Sequence, residues 1–117
     1  MRTEMRRVGT VVVVTLMDAR LGADSAPQFK ADVGHYLSEG GNKLVLDLQQ
    51  VTFVDSTGLG ALVSLRKMAG ERGEIAVTGL QEPVQALFEL TRLDKVFRIY
   101  LTSAEAIEGL AAETARS

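Results

Sequence analysis

The chain has 117 residues, 46% of them apolar and 24% charged, with 13 basic against 15 acidic side chains. That is enough for one real hydrophobic core and too little for two domains, and with four Phe, two Tyr and no Trp the core is expected to be aliphatic. A formal charge of -2 shows no basic face for nucleic acid, and the absence of cysteine removes disulfide and thiolate chemistry, as suits an intracellular protein.

Residues Met1 to Arg7 lack the charged, apolar and cleavage regions of a secretory signal. The longest apolar run, Val11 to Val14 with Leu16 and Met17, is far too short to span a bilayer. A soluble, cytoplasmic protein without a membrane partner is expected. Thr3 and Met5 suit an edge strand, Gly9-Thr10 a turn, and the β-prone run Val11 to Leu16 a central strand forming a hairpin with the first. Asp18 to Asp24 reads as a loop in which Gly22 would permit a positive φ. Ser25, Pro27 and Gln28 then open a helix in capping-box order, and Phe29, Val33 and Leu37 give it one buried stripe. Gly40-Gly41-Asn42 ends it with a left-handed cap.

Lys43 to Leu48 is apolar but for Asp47 within it, the mark of a mostly buried, parallel strand. A short turn follows, and Asp55 and Ser56 stand where the chain leaves the sheet. Leu59, Leu62 and Val63 then repeat at helical spacing through to Ala69, with Arg66 and Lys67 at the C-terminal end, where the dipole favours cations. Gly70 to Gly73 closes that helix and Glu74 to Thr78 forms another strand. A third helix starts near Pro83, with Val84, Leu87 and Phe88 on one face, and Lys95 to Tyr100 supplies a last strand. Ser103 caps a final helix whose Ile107, Leu110 and Ala111 share a face, and residues 113–117 fray. The order is β-β-α-β-α-β-α-β-α. It predicts a single α/β domain over residues 1–112, with amphipathic helices on a mixed, mostly parallel sheet of four to five strands.

Catalytic patterns are absent. His35 lies on a helix whose buried stripe is elsewhere, with no cysteine and no metal-ligand spacing beside it. Asp55-Ser56-Thr57-Gly58 carries one residue too many for an aspartic-protease triplet and has no second lobe to supply a carboxylate. Ser56 is not in a Gly-x-Ser-x-Gly elbow, and Gly58-Leu59-Gly60 is too short for a phosphate loop and lacks its lysine. No enzyme, cofactor or metal is expected. Two readings of Ser56 stay open. Either Asp55 or Ser56 is simply the N-cap of the helix, with Gly58 a close-packing residue. Or Ser56 is a phosphoacceptor, whose phosphate would add about 1.5–2 negative charges where backbone N–H groups and the dipole stabilise them.

The run Leu44 to Leu48, then Val51, Phe53 and Val54, then Asp55-Ser56-Thr57-Gly58-Leu59-Gly60 resembles the signature of the STAS domain, and more closely that of stand-alone bacterial anti-anti-sigma factors. The resemblance extends to the opening hairpin, the helix start Ala26-Pro27-Gln28-Phe29, and Pro83, Val84, Phe88 and Leu93. It implies an anti-sigma factor antagonist that binds a GHKL-type serine kinase doubling as the anti-sigma factor. Ser56 would be the phosphoacceptor whose modification abolishes binding, and a PP2C-type phosphatase would reset the cycle. The implied partner surface is Asp55, Ser56, Thr57 and Gly58 with Arg20, Leu21, Gly22 and Asp24 nearby.

One position departs from the family pattern. Where many members read Gly-x-Leu-Asp, this chain reads Ala19-Arg20-Leu21-Gly22, so the loop carboxylate near the serine is missing and Asp24 is its only substitute. Three alternatives accompany the switch: a STAS scaffold module in a stressosome-like or other signalling assembly, a module binding a lipid or small molecule between sheet and helices, and a small hydrolase.

Overall fold

The run of valines in the second strand has apolar side chains on both sides, and the sheet buries both. The structure, a computed structural model, describes the backbone of residues 2–116 and the side-chain surroundings of residues 2–112. β1 (Thr3–Val8) pairs antiparallel with β2 (Val11–Leu16), as the hairpin reading expects. β3 (Arg20–Leu21) precedes α1 (Ala26–Ser38), and β4 (Lys43–Asp47) precedes β5 (Phe53–Val54) and α2 (Ser56–Ala69). β6 (Glu74–Thr78), α3 (Glu82–Leu90), a 3₁₀ turn over Leu93–Lys95, β7 (Arg98–Tyr100) and α4 (Ser103–Arg116) complete the chain.

The main sheet runs β1-β2-β4-β6-β7, parallel from β2 onward, so the expected α/β order and mixed, mostly parallel sheet are both present. Because the parallel strands lie side by side in sequence order, α1, α2 and α3 all fall on one face. Val12, Val14, Leu44, Leu46, Ile75 and Val77 point into that larger core, where Phe29 and Phe88 are fully buried. Val11, Val13, Val45 and Ala76 point to the other face, which α4 covers with Ala106 and Leu110. Strands covered on both faces need apolar residues at successive positions, which is why β2, β4 and β6 do not alternate. Asp47, the break in that pattern, ends β4 and accepts the Gln49 N–H at 3.1 Å, so it starts the turn.

Several local expectations are corrected. A second, two-stranded parallel sheet pairs β3 with β5, where the sequence reading has a loop and a turn. Ser25 precedes α1 but does not cap it by its side chain: its hydroxyl accepts the Gly22 N–H at 3.1 Å, and Gln28 bonds Asp32, so no capping box forms. Gly22 is not among the glycines with positive φ; Gly40, at +93°, is, and it follows α1 as the left-handed cap expected there. Thr102, one residue before the expected Ser103, caps α4 by accepting the Glu105 N–H at 3.1 Å. Ala106 rather than Ala111 joins Leu110 in the core, and β7 is shorter than expected because residues 93–95 form the 3₁₀ turn. The fraying expected for 113–117 lies outside the residues whose side chains are described.

Candidate functional site

The apolar pair Phe53-Val54 lies directly before Asp55, and its pairing with Arg20-Leu21 brings the β3 segment against the first turn of α2. The Asp55 N–H donates to the Leu21 carbonyl at 3.2 Å. Asp55 then leaves the extended conformation as the N-cap of α2. One carboxylate oxygen accepts the Gly58 N–H at 2.9 Å and the other accepts the Ala23 N–H at 3.1 Å, so a single side chain closes the helix and reaches the loop across from it. Its acidity follows from that. The Gly58 amide is the largest influence and lowers the carboxyl below its ordinary value; desolvation opposes it, and the Ala23 and Thr57 amides and the charge of Arg20 lower it further.

Two glycines make this approach possible. A Cβ on Gly58 would collide with the Leu21 carbonyl oxygen and stand 2.9 Å from its carbon. One on Gly22 would stand 2.6 Å from an Asp55 carboxylate oxygen. Gly22 therefore leaves room for the Asp55 carboxylate and does not serve a left-handed turn. Gly60, grouped with Gly58 by sequence, has nothing within 4 Å of such a Cβ among the described residues.

Ser56 is the first residue of α2 and is exposed, and its hydroxyl makes no hydrogen bond within the described chain. Thr57 is exposed beside it. Leu21, Gly22 and Gly58 are buried, so they build the rim and present no side chain to a partner. Asp24 is exposed and bonds to neither Ser56 nor Asp55, so it does not replace the missing loop carboxylate. Arg20 lies 4.4 Å from the centroid of the Phe53 ring, which is 45% exposed. An exposed aromatic under a guanidinium is a strong contact element. The sequence places Phe53 in the family signature but not in the partner surface, because a two-residue strand carries no periodicity to show which way its side chain faces. Beyond Thr57, a shallow groove of about 340 Å³ runs between α1 and α2, lined by Pro27, Lys30, Gly60 and Ser64. It continues toward Gly34 and the half-exposed Met68. His35 stands at the surface with its side chain 73% exposed, 3.5 Å from Glu39, outside this site.

The STAS domain profile matches residues 2–106 of this chain. The chain belongs to the STAS domain family. STAS domains are non-catalytic regulatory and scaffold modules. This one is 31% identical over 97 residues to the anti-sigma-B factor antagonist of Listeria monocytogenes, covering 82% of this chain and 85% of that protein. It is 34% identical over 99 residues to a Thermotoga maritima protein provisionally named an anti-sigma factor antagonist, covering 83% of this chain and 88% of the other. The crystal structure of an anti-sigma factor antagonist from Mycobacterium paratuberculosis superposes with a TM-score of 0.85 at 25% identity, over 94% of this chain and 93% of that one. This STAS domain is thus homologous to the bacterial anti-sigma factor antagonists. Among the described residues no helix is long and apolar enough to cross a membrane.

Proposed function

We propose that this STAS domain is an anti-sigma factor antagonist. It binds a GHKL-type anti-sigma factor and serine kinase in the cytoplasm while Ser56 is unmodified, and phosphorylation of Ser56 releases it. A PP2C-type phosphatase restores the binding form. The observation that carries this reading is the division between neighbours at the start of α2: Asp55 satisfies the helix, and the Ser56 hydroxyl is exposed with no bond among the described residues. The names of the relatives support the antagonist assignment. The interface is the rim of Asp55, Ser56 and Thr57 with Arg20, Phe53 and Asp24 at its side; Leu21, Gly22 and Gly58 set its shape. A phosphate at residue 56 puts about 1.5–2 negative charges into that contact, and the partner is expelled by desolvation cost and like-charge repulsion.

The test is binding of the purified protein to a kinase recovered by pulldown, with Ser56 intact, Ser56→Ala and Ser56→Asp, and intact mass before and after incubation with ATP. The switch requires tight binding by the first two, weak binding by Ser56→Asp, and one added phosphate absent from Ser56→Ala. Equal binding by all three with no phosphate would favour the scaffold reading, for which Gly22 in place of the usual loop aspartate is the supporting observation.

A further inference from the structure

The loop between β3 and α1 folds on itself. The Ser25 and Ala26 N–H groups both donate to the Gly22 carbonyl, at 3.0 and 2.7 Å, and the Gly22 N–H donates to the Ser25 hydroxyl at 3.1 Å. These bonds close residues 22–26 into a turn, but none of them ties that turn to α2. Beside the backbone bond from the Asp55 N–H to Leu21, just before the turn, the tie is the bond from the Ala23 N–H to the Asp55 carboxylate, whose other oxygen is committed to Gly58. Room for it exists because residue 22 has no side chain: a Cβ there would stand 2.6 Å from the Asp55 oxygen and 3.1 Å from its carboxyl carbon.

We propose that Asp55 is a positioning residue for the loop, its carboxylate occupying the space that Gly22 leaves and so fixing residues 22–24 against the Ser56 turn. A side chain at position 22 must push the carboxylate aside, and an aspartate there would do so with like charge as well. The missing loop carboxylate and the Asp55 clamp are therefore one feature: this chain holds its loop by a cross-link from α2. The consequence for binding rests on the proposed partner surface; the clamp itself does not.

Protonation breaks the clamp without a mutation. The folded-state affinity of Asp55 for a proton is lowered, so the bond is intact above the ordinary aspartate range and lost as pH falls through the lowered value. Arg20 on β3 is the charge that acts on this carboxyl, and Asp24 is the other titratable group of the loop. We expect the amide shifts of Ala23 and Gly58, followed by NMR from about pH 6 to about pH 2, to move with one common midpoint below about 3.9. A Gly58 amide that titrates while Ala23 does not would reduce Asp55 to a helix cap and overturn the proposal.

Gly22→Ala supplies an independent test with Asp55 retained. It should abolish the Ala23 titration and speed exchange of the Ala23 amide about tenfold, as loss of a charge-assisted bond requires. Exchange within twofold of the parent would overturn the clamp. Gly22→Ala is also expected to weaken binding of the recovered kinase about tenfold, and unchanged binding would overturn the positioning role. Common titration of Ala23 and Gly58 in a protein that no anti-sigma factor binds would support the clamp and count against the partner reading alone.

Discussion

Replacing Gly58 with alanine sets two opposed effects against each other. In a helix interior alanine is favoured over glycine by about 1 kcal/mol, so propensity alone makes Gly58→Ala stabilising. Against that, the new Cβ would collide with the Leu21 carbonyl oxygen and lie 2.9 Å from its carbon, where ordinary contact needs about 3.4 Å or more. These are backbone atoms and cannot rotate away. The Leu21 carbonyl accepts the Asp55 N–H, Leu21 pairs with Val54, and its side chain is fully buried. The strand must therefore move as a unit. Overpacking of this kind costs about 1–3 kcal/mol, and weakening the Asp55–Leu21 bond adds about 1 more. Subtracting the propensity gain leaves a net loss of about 1–3 kcal/mol, or a fall in Tm of about 4–12 °C for a domain of this size. Urea unfolding should show a lower midpoint at constant m. A Gly58→Ala protein as stable as the parent would mean that propensity prevails, and the close approach of β3 to α2 would be refuted.

Gly60→Ala is the matching control: the same helix, but nothing within 4 Å of the new Cβ, so thermal unfolding should show a gain of about 0.5–1 kcal/mol. Thr78 is 1% exposed and its hydroxyl has no hydrogen-bond partner among the described residues, so Thr78→Val should raise Tm by removing a buried unpaired group, a gain of about 1 kcal/mol; a lower Tm would show that the hydroxyl is satisfied. Thr102 accepts the Glu105 N–H, and Thr102→Ala should cost about 1 kcal/mol in urea unfolding, whereas Ser103→Ala should leave the midpoint nearly unchanged.

The main sheet was legible because its signal is local and redundant. Val11 to Val14, Leu44 to Leu46 and Ile75 to Val77 are short unbroken apolar runs between turn residues, and burial on both faces leaves no other arrangement for them. The helices announced themselves through Phe29, Val33 and Leu37 and through Val84 and Phe88, all of which are buried. The mini-sheet did not, because β3 and β5 have two residues each and exist only through pairing with partners 33 positions away. Caps were readable as residue types but not as positions. Thr102 and Ser103 carry the same hydroxyl, and backbone dihedrals alone decide which one accepts the helical N–H. Gly22 was the most instructive case. In isolation it signals backbone freedom, and its use became visible only with Asp55, 33 residues on, beside it.

On the proposed function, the start of α2 assigns structure and signal to different side chains. Were the Ser56 hydroxyl the helix cap, modifying it would remove the bond that holds the helix end, and the state of the switch would alter the stability of the fold. Asp55 carries that bond instead, and it carries the tie to Ala23 as well, while the Ser56 hydroxyl contributes no bond to either. A phosphate placed there would subtract nothing from the packing beneath it, and the positive end of the α2 dipole would favour its charge. The repulsion from the neighbouring Asp55 carboxylate acts the other way, but that carboxylate is already held by the Gly58 and Ala23 amides and is acidic enough to stay ionised through the physiological range. The two charges would then add at one exposed rim. That arrangement directs the free energy of modification to whatever is docked on the rim, which is what release of a partner by phosphorylation requires.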